Sequence, residues 1–544
     1  MMKRTIKWIP LGILVAAVAA LLIWSLTQES PTMTPTASET WSRGRVIGET
    51  PVRRNVALGA APGGGSFLVW TNMENRLQLT HIGPQGDLLS DQALPLESSE
   101  ASSPQLATTP DGQVHLLWRE GETEPTVQYV LLASDGTPAG EPVQLADDER
   151  GFQDMPQLAP APDGGAYALW ADRIGIEWAI LSAEGEVDRE PRILIPHGTS
   201  PRLRVDARGQ LHLVWQQDTG INTVAIKYGI LDPTEGRMVY TTEVTEILRS
   251  DRMELEETAI GLSEDQAYVL WSEYDRGFDR YRFPYTVFSL EAPQGGQTDV
   301  VQLRRGEGPL ALSTTETQNT PMRVSISARM MGSEGRLEQQ VTLLTFDPGG
   351  GVTEQVVSAS AAASLESTLV PDEQSILHLA WLETAGFGKY RVVYASTAPQ
   401  VVTAYNALTP KDAVDVLFGG VFQLSIVIIS AISGLMMWAV LPLVGLVVYH
   451  VLTSEENLET PGARLAVVVA LIAEVGLSFG LPPRFGMETG WPALRWIAPA
   501  ASAALAAVFT SILARRLKEN QLFLTFFLFT GINTVIYSGL YLMF

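Results

Sequence analysis

The chain has 544 residues, enough for two or more domains, and carries a formal net charge of −23. It contains no cysteine, which excludes disulfides, thiolate catalysis, cysteine-ligated zinc and a lipid anchor on cysteine. The charge is uneven, because residues 29–410 hold 27 basic and 52 acidic side chains, a net of −25. A region this acidic is not expected to bind nucleic acid or an anionic membrane surface.

The N-terminus has the features of a membrane anchor. Three basic residues precede an apolar run from Trp8 to Leu26. This run is as long as a bilayer-spanning helix and lacks a small-residue cleavage site, so we predict an uncleaved signal anchor over residues 1–27 rather than a cleaved signal. Its basic end is expected in the cytoplasm. Residues 28–44, rich in Pro, Ser and Thr, are predicted to be a linker, which places the next region outside the membrane.

A self-similar unit recurs through the middle of the chain. It reads PQLATTPDGQVHLLW from Pro104, and further copies begin near Val56, Pro156, Pro201, Thr258 and Leu365. Each copy contains an alternating apolar run such as 114–118, preceded by a turn of the Pro-Asp-Gly type, and this pattern predicts a β-strand. With the alternations that flank it, each copy predicts four antiparallel strands.

A tryptophan marks six of the copies. The six, expected to pack between sheets, are Trp70, Trp118, Trp170, Trp215, Trp271 and Trp381. The last spacing is twice the others, and an alternation from Met322 fills the gap as a seventh copy without tryptophan. We therefore predict a seven-bladed β-propeller over residues 45–402, with six or eight blades as alternatives. Residues 45–48 are expected to supply a strand that closes the ring.

The C-terminal part is predicted to be a helical membrane domain. A linker over 403–412 leads into residues 413–544, where apolar segments occur at Val414–Leu452, Leu465–Leu481, Trp496–Leu513 and Leu522–Phe544. The first segment is too long for one straight crossing, so it forms either a hairpin or a single crossing at about 434–452. The distribution of arginines favours the single crossing, which gives one N-terminal and four C-terminal spans, with six crossings as the alternative.

The repeat also resembles a known family. The pattern Pro-Asp-Gly-x-x-His-Leu-x-Trp is similar to the degenerate, BNR-like repeats of sialidase-like propellers over residues 45–402, and this resemblance implies glycan-cleaving activity. The Asp-box of that family, Ser-x-Asp-x-Gly-x-Thr-Trp, is absent. Trp118 follows Asp111 by seven positions and Trp215 follows Asp206 by nine, instead of five. No residue of the sialidase site is carried over, and no catalytic residue is assigned.

Two further features suggest chemistry. His115, His212 and His378 share one position in three repeats, but they lie on different blades, so we predict packed, hydrogen-bonded histidines rather than a metal site. No metal or cofactor is predicted. Glu474 lies within the apolar segment Leu465–Leu481, where a carboxyl group is costly to bury. It indicates either ion or proton handling, or helix-to-helix hydrogen bonding with His450, Asn533 or Tyr537 as candidate partners.

Three functions are consistent with these features. The preferred one is a non-catalytic, membrane-anchored propeller outside the cytoplasm that binds a ligand, a glycan or a partner protein on its face. The second is a glycan-active, sialidase-like hydrolase at the cell surface. The third makes the helical part a transporter or sensor subunit with the propeller as an accessory. An arginine cluster facing paired acids in the central cavity would favour the enzyme.

Overall fold

In a computed structural model the chain folds into two compact units, residues 31–407 and residues 408–544 together with 1–30. The structure describes residues 32–543 apart from gaps at 52–55, 97–99, 110–111, 122–124, 147–153, 251, 304–305, 315–320, 332–336, 348–349, 387, 410–411, 413, 415–437, 481–493 and 518–520. The predicted signal anchor over 1–27 therefore lies outside the described residues.

The first unit is a β-propeller of seven antiparallel sheets, counted over the described residues. The first three blades are β3 (Ala57–Ala60), β4 (Ser66–Thr71), β5 (Leu77–Ile82) and β6 (Leu88–Ala93); β7 (Ala101–Thr108), β8 (Val114–Glu120), β9 (Thr126–Leu132) and β10 (Val143–Ala146); and β11 (Gln157–Pro160), β12 (Ala166–Ala171), β13 (Gly175–Leu181) and β14 (Val187–Pro196). This confirms the predicted fold of four-stranded blades.

Three further blades follow in chain order, and in blade 5 the third strand is split into β21 and β22. Their strands are β15 (Gly198–Val205), β16 (Leu211–Asp218), β17 (Thr223–Asp232) and β18 (Arg237–Leu248); β19 (Met253–Leu262), β20 (Gln266–Asp275), β21 (Arg280–Arg282), β22 (Pro284–Ser289) and β23 (Gln297–Val300); and β24 (Gly306–Thr314), β25 (Met322–Met331), β26 (Leu337–Phe346) and β27 (Val352–Val356). Blade 6 is the predicted copy without tryptophan.

Blade 7 closes the ring with strands from both ends of the unit. β28 (Ser364–Pro371), β29 (Leu377–Thr384) and β30 (Tyr390–Ser396) pair with β2 (Gly44–Thr50) and then with β1 (Met33–Thr34). The predicted closing strand over residues 45–48 is thus confirmed. The innermost strands β3, β7, β11, β15, β19, β24 and β28 each contact the next, and β28 returns to β3, so the ring of blades is closed.

Two predicted linkers are partly ordered. Within 28–44, residues 33–34 form β1 and Trp41 is buried in the core, because its indole packs against blades 6 and 7. Within 403–412, helix α1 (Pro399–Tyr405) buries Tyr405, whose hydroxyl donates a hydrogen bond to the Gly86 carbonyl oxygen at 2.6 Å. Composition predicted exposure there, but a single buried aromatic side chain fixes each segment to the ring.

The core of the propeller consists of seven apolar clusters, each shared by two neighbouring blades. Each marker tryptophan lies in the cluster between its own blade and the preceding one, and all six are at least 97% buried: Trp70, Trp118, Trp170, Trp215, Trp271 and Trp381. The cluster between blades 5 and 6 has no tryptophan and contains Tyr268, Tyr285 and Phe346 instead. These rings fill the space that the missing marker leaves.

The three histidines are structural. The Nδ1 atoms of His115, His212 and His378 lie 2.8, 2.8 and 2.7 Å from the hydroxyl oxygens of tyrosines on the next strand of the same blade. All three imidazoles are buried. Buried polar groups are stable when hydrogen-bonded, so this arrangement confirms the predicted packed histidines.

The second unit is helical. Its described helices are α2 (Trp438–Thr453), α3 (Pro461–Gly480), α4 (Leu494–Leu517) and α5 (Leu522–Met543). Within the described part, one helix, over Pro461–Phe479, is long and apolar enough to cross a membrane, whereas the sequence predicted four such spans here. The apolar stretches of α2, α4 and α5 are shorter than eighteen residues, and residues 415–437 of the first predicted segment lie outside the described residues.

Candidate functional site

A cavity of about 300 Å³ occupies the centre of the propeller. The first strands of the blades line it, mostly with small and apolar side chains. Among the described lining residues, the charged ones are Arg202, Arg204, Glu257 and Glu366. They come from blades 4, 5 and 7, so the ring brings together residues that are distant in sequence. We define these four residues as the channel site.

Bulges in the first strands present three of these side chains. The register shifts between Thr199 and Arg202 in β15, between residues 255 and 258 in β19, and between residues 365 and 368 in β28. A bulge inserts a residue that has no partner across the ladder, and it redirects the neighbouring side chains. Glu257 and Glu366 lie inside two of these bulges.

The backbone of Glu366 is in the left-handed region, with φ 47°. Ser103 and Ser200 occupy the same place in the bulges of blades 2 and 4, with φ 53° and 50°. Such conformations are unfavourable for residues other than glycine and persist where the surrounding structure enforces them. The bulge is therefore a recurrent feature of the fold, and blade 7 uses it to carry a carboxylate.

The pKa of Glu257 in the channel site is strongly perturbed. Burial raises its pKa to about 7, and the neighbouring Glu366 carboxylate acts in the same direction. The Arg202 guanidinium and the Leu312 N–H, which donates to Glu257 Oε2 at 3.0 Å, oppose the increase. Both the protonated and the ionised form of this carboxyl group are therefore accessible near neutral pH, so it can donate or accept a proton.

The arginines are held by backbone carbonyl groups. Arg202 Nη1 donates to the Pro201 carbonyl oxygen at 3.1 Å. Arg204 donates from Nη1 to the Leu203 oxygen at 2.9 Å and from Nη2 to the Thr314 oxygen at 3.0 Å. These bonds restrict two otherwise flexible side chains, so part of the entropic cost of binding an anion is already met.

A wider cavity of about 570 Å³ lies at the turns between the first and second strands. Two of its acids serve the fold. Asp206 accepts hydrogen bonds from the backbone N–H groups of Arg208 and Gln210, and Asp372 accepts them from Gln374 and residue 376. Burial favours the neutral acids, but bonds from His212 and His378 and from these amides hold both pKa values below the ordinary range. These aspartates therefore stabilise the turns.

The sequence contained an unused signal for the channel site. Copies 2 and 3 begin Pro-Gln-Leu-Ala at 104–107 and 156–159, whereas copy 4 begins Pro201-Arg202-Leu203-Arg204. Both channel-facing positions of this motif are thus replaced by arginine in one blade. The lining combines two arginines with two acids, which is closer to the arrangement named above as favouring the enzyme than to an apolar or uniformly acidic lining.

Glu474 lies outside the propeller, in α3, and is fully buried. Thr530 Oγ1 donates to Glu474 Oε2 at 2.6 Å and Asn533 Nδ2 donates to Oε1 at 3.3 Å, both from α5. Of the three candidate partners, Asn533 hydrogen-bonds to Glu474, while His450 Nδ1 lies 2.9 Å from the Glu455 carbonyl oxygen. In the described part of the chain, no group of three His, Asp or Glu side chains is arranged to hold a metal ion.

The fold and its channel define a seven-bladed β-propeller with a charged central site. No family model and no curated protein matches the chain. Solved structures resemble it: an unknown function protein from Dyadobacter fermentans (9% identity, 54% of this chain and 94% of that one, TM-score 0.40) and a PL25 ulvan lyase (10% identity, 63% and 95%, TM-score 0.42). A third is an exo-1,5-α-L-arabinanase from a bovine ruminal metagenomic library (10% identity, 48% and 98%, TM-score 0.29). Values this low carry no argument about the ligand of this chain.

Proposed function

We propose that the protein is a membrane-anchored, non-catalytic β-propeller outside the cytoplasm, and that its channel site binds the carboxylate-bearing end of a glycan. The observation that carries this proposal is the convergence of Arg202 and Arg204 with two glutamates in one cavity. A guanidinium group matches a carboxylate in shape and charge, and the glutamates can accept hydrogen bonds from sugar hydroxyls. The cavity volume is at the lower end of that of ligand pockets.

The charge of the domain restricts the ligand further. Residues 29–410 carry a net charge of −25, so a polyanion would be repelled by the surface before it reached the arginines. A single carboxylate at the end of an otherwise neutral oligosaccharide avoids most of this repulsion. Because the pKa of Glu257 is about 7, binding of such an anion should strengthen as the pH falls below 7 and Glu257 loses its charge.

The helical unit supports the membrane anchor. On α3 the side chains of Leu465, Val468 and Ile472 are exposed by at least half, whereas Glu474 is fully buried. Apolar groups outside and a polar group inside are the reverse of a water-soluble bundle. With the basic, apolar N-terminal segment, this pattern supports our proposal of a multi-pass protein of the cell membrane with a cytoplasmic N-terminus and five crossings.

Calorimetric titration of the full-length protein tests the proposed ligand. The probe is a disaccharide ending in glucuronic acid, and the comparison is the matched neutral glucose disaccharide. We expect Arg202→Met to weaken binding of the acidic probe at least about tenfold, since a hydrogen bond to a charged group contributes about 1.5–3 kcal/mol. Arg237→Met, at the exposed start of the outermost strand β18 of the same blade, is the matched control. Equal affinity for both disaccharides, or equal loss in both variants, would refute the proposal.

A second function, a glycan-active hydrolase of the sialidase-like kind, is favoured by one observation. Glu257, whose pKa is raised, lies close enough to the Glu366 carboxylate to be affected by its charge, and glycoside cleavage uses a pair of carboxyl groups, one of them as the acid. Analysis of the sugars in the titrated samples distinguishes the two functions. Release of monosaccharide that Glu257→Gln abolishes while binding persists would establish the enzyme, and an intact disaccharide would support the binding protein.

A further inference from the structure

We propose that Glu474, Thr530 and Asn533 form a binding site for one monovalent cation, H⁺ or Na⁺, inside the helical unit. Each side chain is at most 1% exposed. The site goes beyond the proposed function, because it lies in the helical unit and involves no residue of the propeller.

The oxygen atoms of this group suit a small cation. Both carboxylate oxygens of Glu474 accept hydrogen bonds from neutral donors, Thr530 and Asn533. The amide oxygen Oδ1 of Asn533 is buried and has no hydrogen-bond partner among the described residues. A buried acceptor without a donor is costly, and hard cations are bound by carboxylate, hydroxyl and amide oxygens of this kind. A proton or Na⁺ would satisfy the group and neutralise the carboxylate.

The charge of Glu474 has no evident counterion in the described helices. Arg464 lies ten residues earlier on α3, about 15 Å along the helix axis, and its Nε donates to the Leu458 carbonyl oxygen. Among the side chains that the structure describes on the surrounding helices, the other titratable or charged ones are Tyr449 and His450 on α2, Arg515 in the last turn of α4 and Tyr537 on α5. Tyr449 donates to Glu455 Oε2 at 2.6 Å, in the loop after α2.

The polar face on α5 extends beyond the direct contacts. Thr530, Asn533, Thr534 and Tyr537 recur at helical spacing and are all at least 99% buried. Tyr537 packs edge-on against Trp438 of α2, with ring centroids 5.0 Å apart. A carboxyl group that only joined two helices would need one partner, whereas a polar face of four residues provides a lining for an exchangeable ion.

Carbodiimide labelling of the full-length protein in lipid nanodiscs tests this site. Dicyclohexylcarbodiimide is apolar and reacts with protonated carboxyl groups, so mass spectrometry of the labelled peptide reports the protonated fraction of Glu474. We expect labelling at Glu474 and none in Glu474→Gln, with a decrease of about tenfold per pH unit above the midpoint. Glu455, in the loop after α2, is the internal control and should remain unlabelled.

Two comparisons complete the test. Asn533→Leu should move the pH of half-maximal labelling by about one unit, since about 1.4 kcal/mol separates states one pH unit apart. Thr525→Val, on α5 but outside the polar face, should leave it unchanged. Suppression of labelling by NaCl, but not by choline chloride, would identify the cation as Na⁺, and pH dependence alone would identify H⁺. Absent labelling, or labelling that ignores both pH and Na⁺, would overturn the site and leave the channel proposal untouched.

Discussion

At the scale of single residues, the channel site makes stability depend on pH. The pKa of Glu257 in the folded protein is about 7, above the ordinary 4.5, mainly because burial disfavours its charge. The folded state therefore binds this proton more tightly than the unfolded chain does. The resulting stabilisation is complete below about pH 4.5 and is lost as the pH rises through about 7.

The Glu257→Gln variant tests this sign. At pH 8 we expect its free energy of unfolding to exceed that of the wild type by about 2 kcal/mol, less than the roughly 3 kcal/mol of the whole shift, because water in the channel screens the charge. At pH 4, below the ordinary pKa, the two proteins should be equally stable. Urea unfolding at both pH values provides the measurement, with the exposed Glu373→Gln as control. A difference that is the same at both pH values would contradict the assignment.

The marker tryptophans show what a repeat can and cannot predict about residues. Their recurrence predicts burial, but not the carboxylates that accept their N–H groups. The indoles of Trp118 and Trp271 donate to the glutamate two positions later, at 3.0 and 2.8 Å, and Trp170 donates to Glu177 at 3.1 Å. The sequence alone predicts that such acids are exposed residues of a strand. Their role depends on where the folded strands place each carboxylate beside an indole, which composition does not reveal.

At the scale of elements, the strand order was predictable and the exact bounds were not. Alternation gives the second and third strands of each blade, since these are the buried ones. The outermost strands, such as β6 and β10, are mostly exposed and short, so their patterns are weak. In blade 6 the residue opposite the bulge is Ser327, where blades 2, 4 and 7 carry tryptophan. The sequence signal of the repeat is therefore weakest in blade 6.

The closing strand β2 provides a prediction at this scale. A Cβ atom at Gly48 would lie 2.6 Å from Trp70 Cζ2, so blade 1 and blade 7 meet too closely for any side chain there. We expect Gly48→Ala to lower the free energy of unfolding by about 1–3 kcal/mol through overpacking. Gly140→Ala, where a Cβ atom meets nothing within 4 Å, should be close to neutral. Thermal unfolding of both variants tests this prediction. Equal melting temperatures would show that the contact between Gly48 and Trp70 can relax to admit a methyl group.

At the scale of the whole molecule, the number of blades followed from the spacing of the repeats, whereas the channel chemistry did not. A ring places residues from blades 4, 5 and 7 side by side, and no local pattern encodes that proximity. The membrane topology of the helical part was predicted from the charges in its loops. Among the described residues, one helix is long and apolar enough to cross a membrane. An experiment on topology is therefore the most informative for the intact protein.

The absence of cysteine makes that experiment simple. Ile221→Cys places a thiol at a fully exposed loop of blade 4, and Glu459→Cys places one in the exposed loop between α2 and α3. With five crossings, a membrane-impermeant maleimide should label residue 221 in intact cells and residue 459 only after permeabilisation. Labelling of both in intact cells would instead favour the hairpin with six crossings. Protection of residue 221 would overturn the extracytoplasmic propeller.

The pairing of β2 with β30, which closes blade 7, determines how the ring responds to force. Because β2 and β30 are antiparallel, with Arg45 opposite Tyr394, the start of β2 and the end of β30 lie at the same end of one ladder. Tension between these two points would peel the ladder open one bond at a time instead of shearing many bonds together. The Asn406 side chain connects the two segments at this end of the ladder. It accepts a hydrogen bond from the Arg43 N–H at 2.7 Å and donates one to the Trp41 carbonyl oxygen at 3.3 Å. A force that separates residues 43 and 406 would therefore load this one amide before the ladder between β2 and β30.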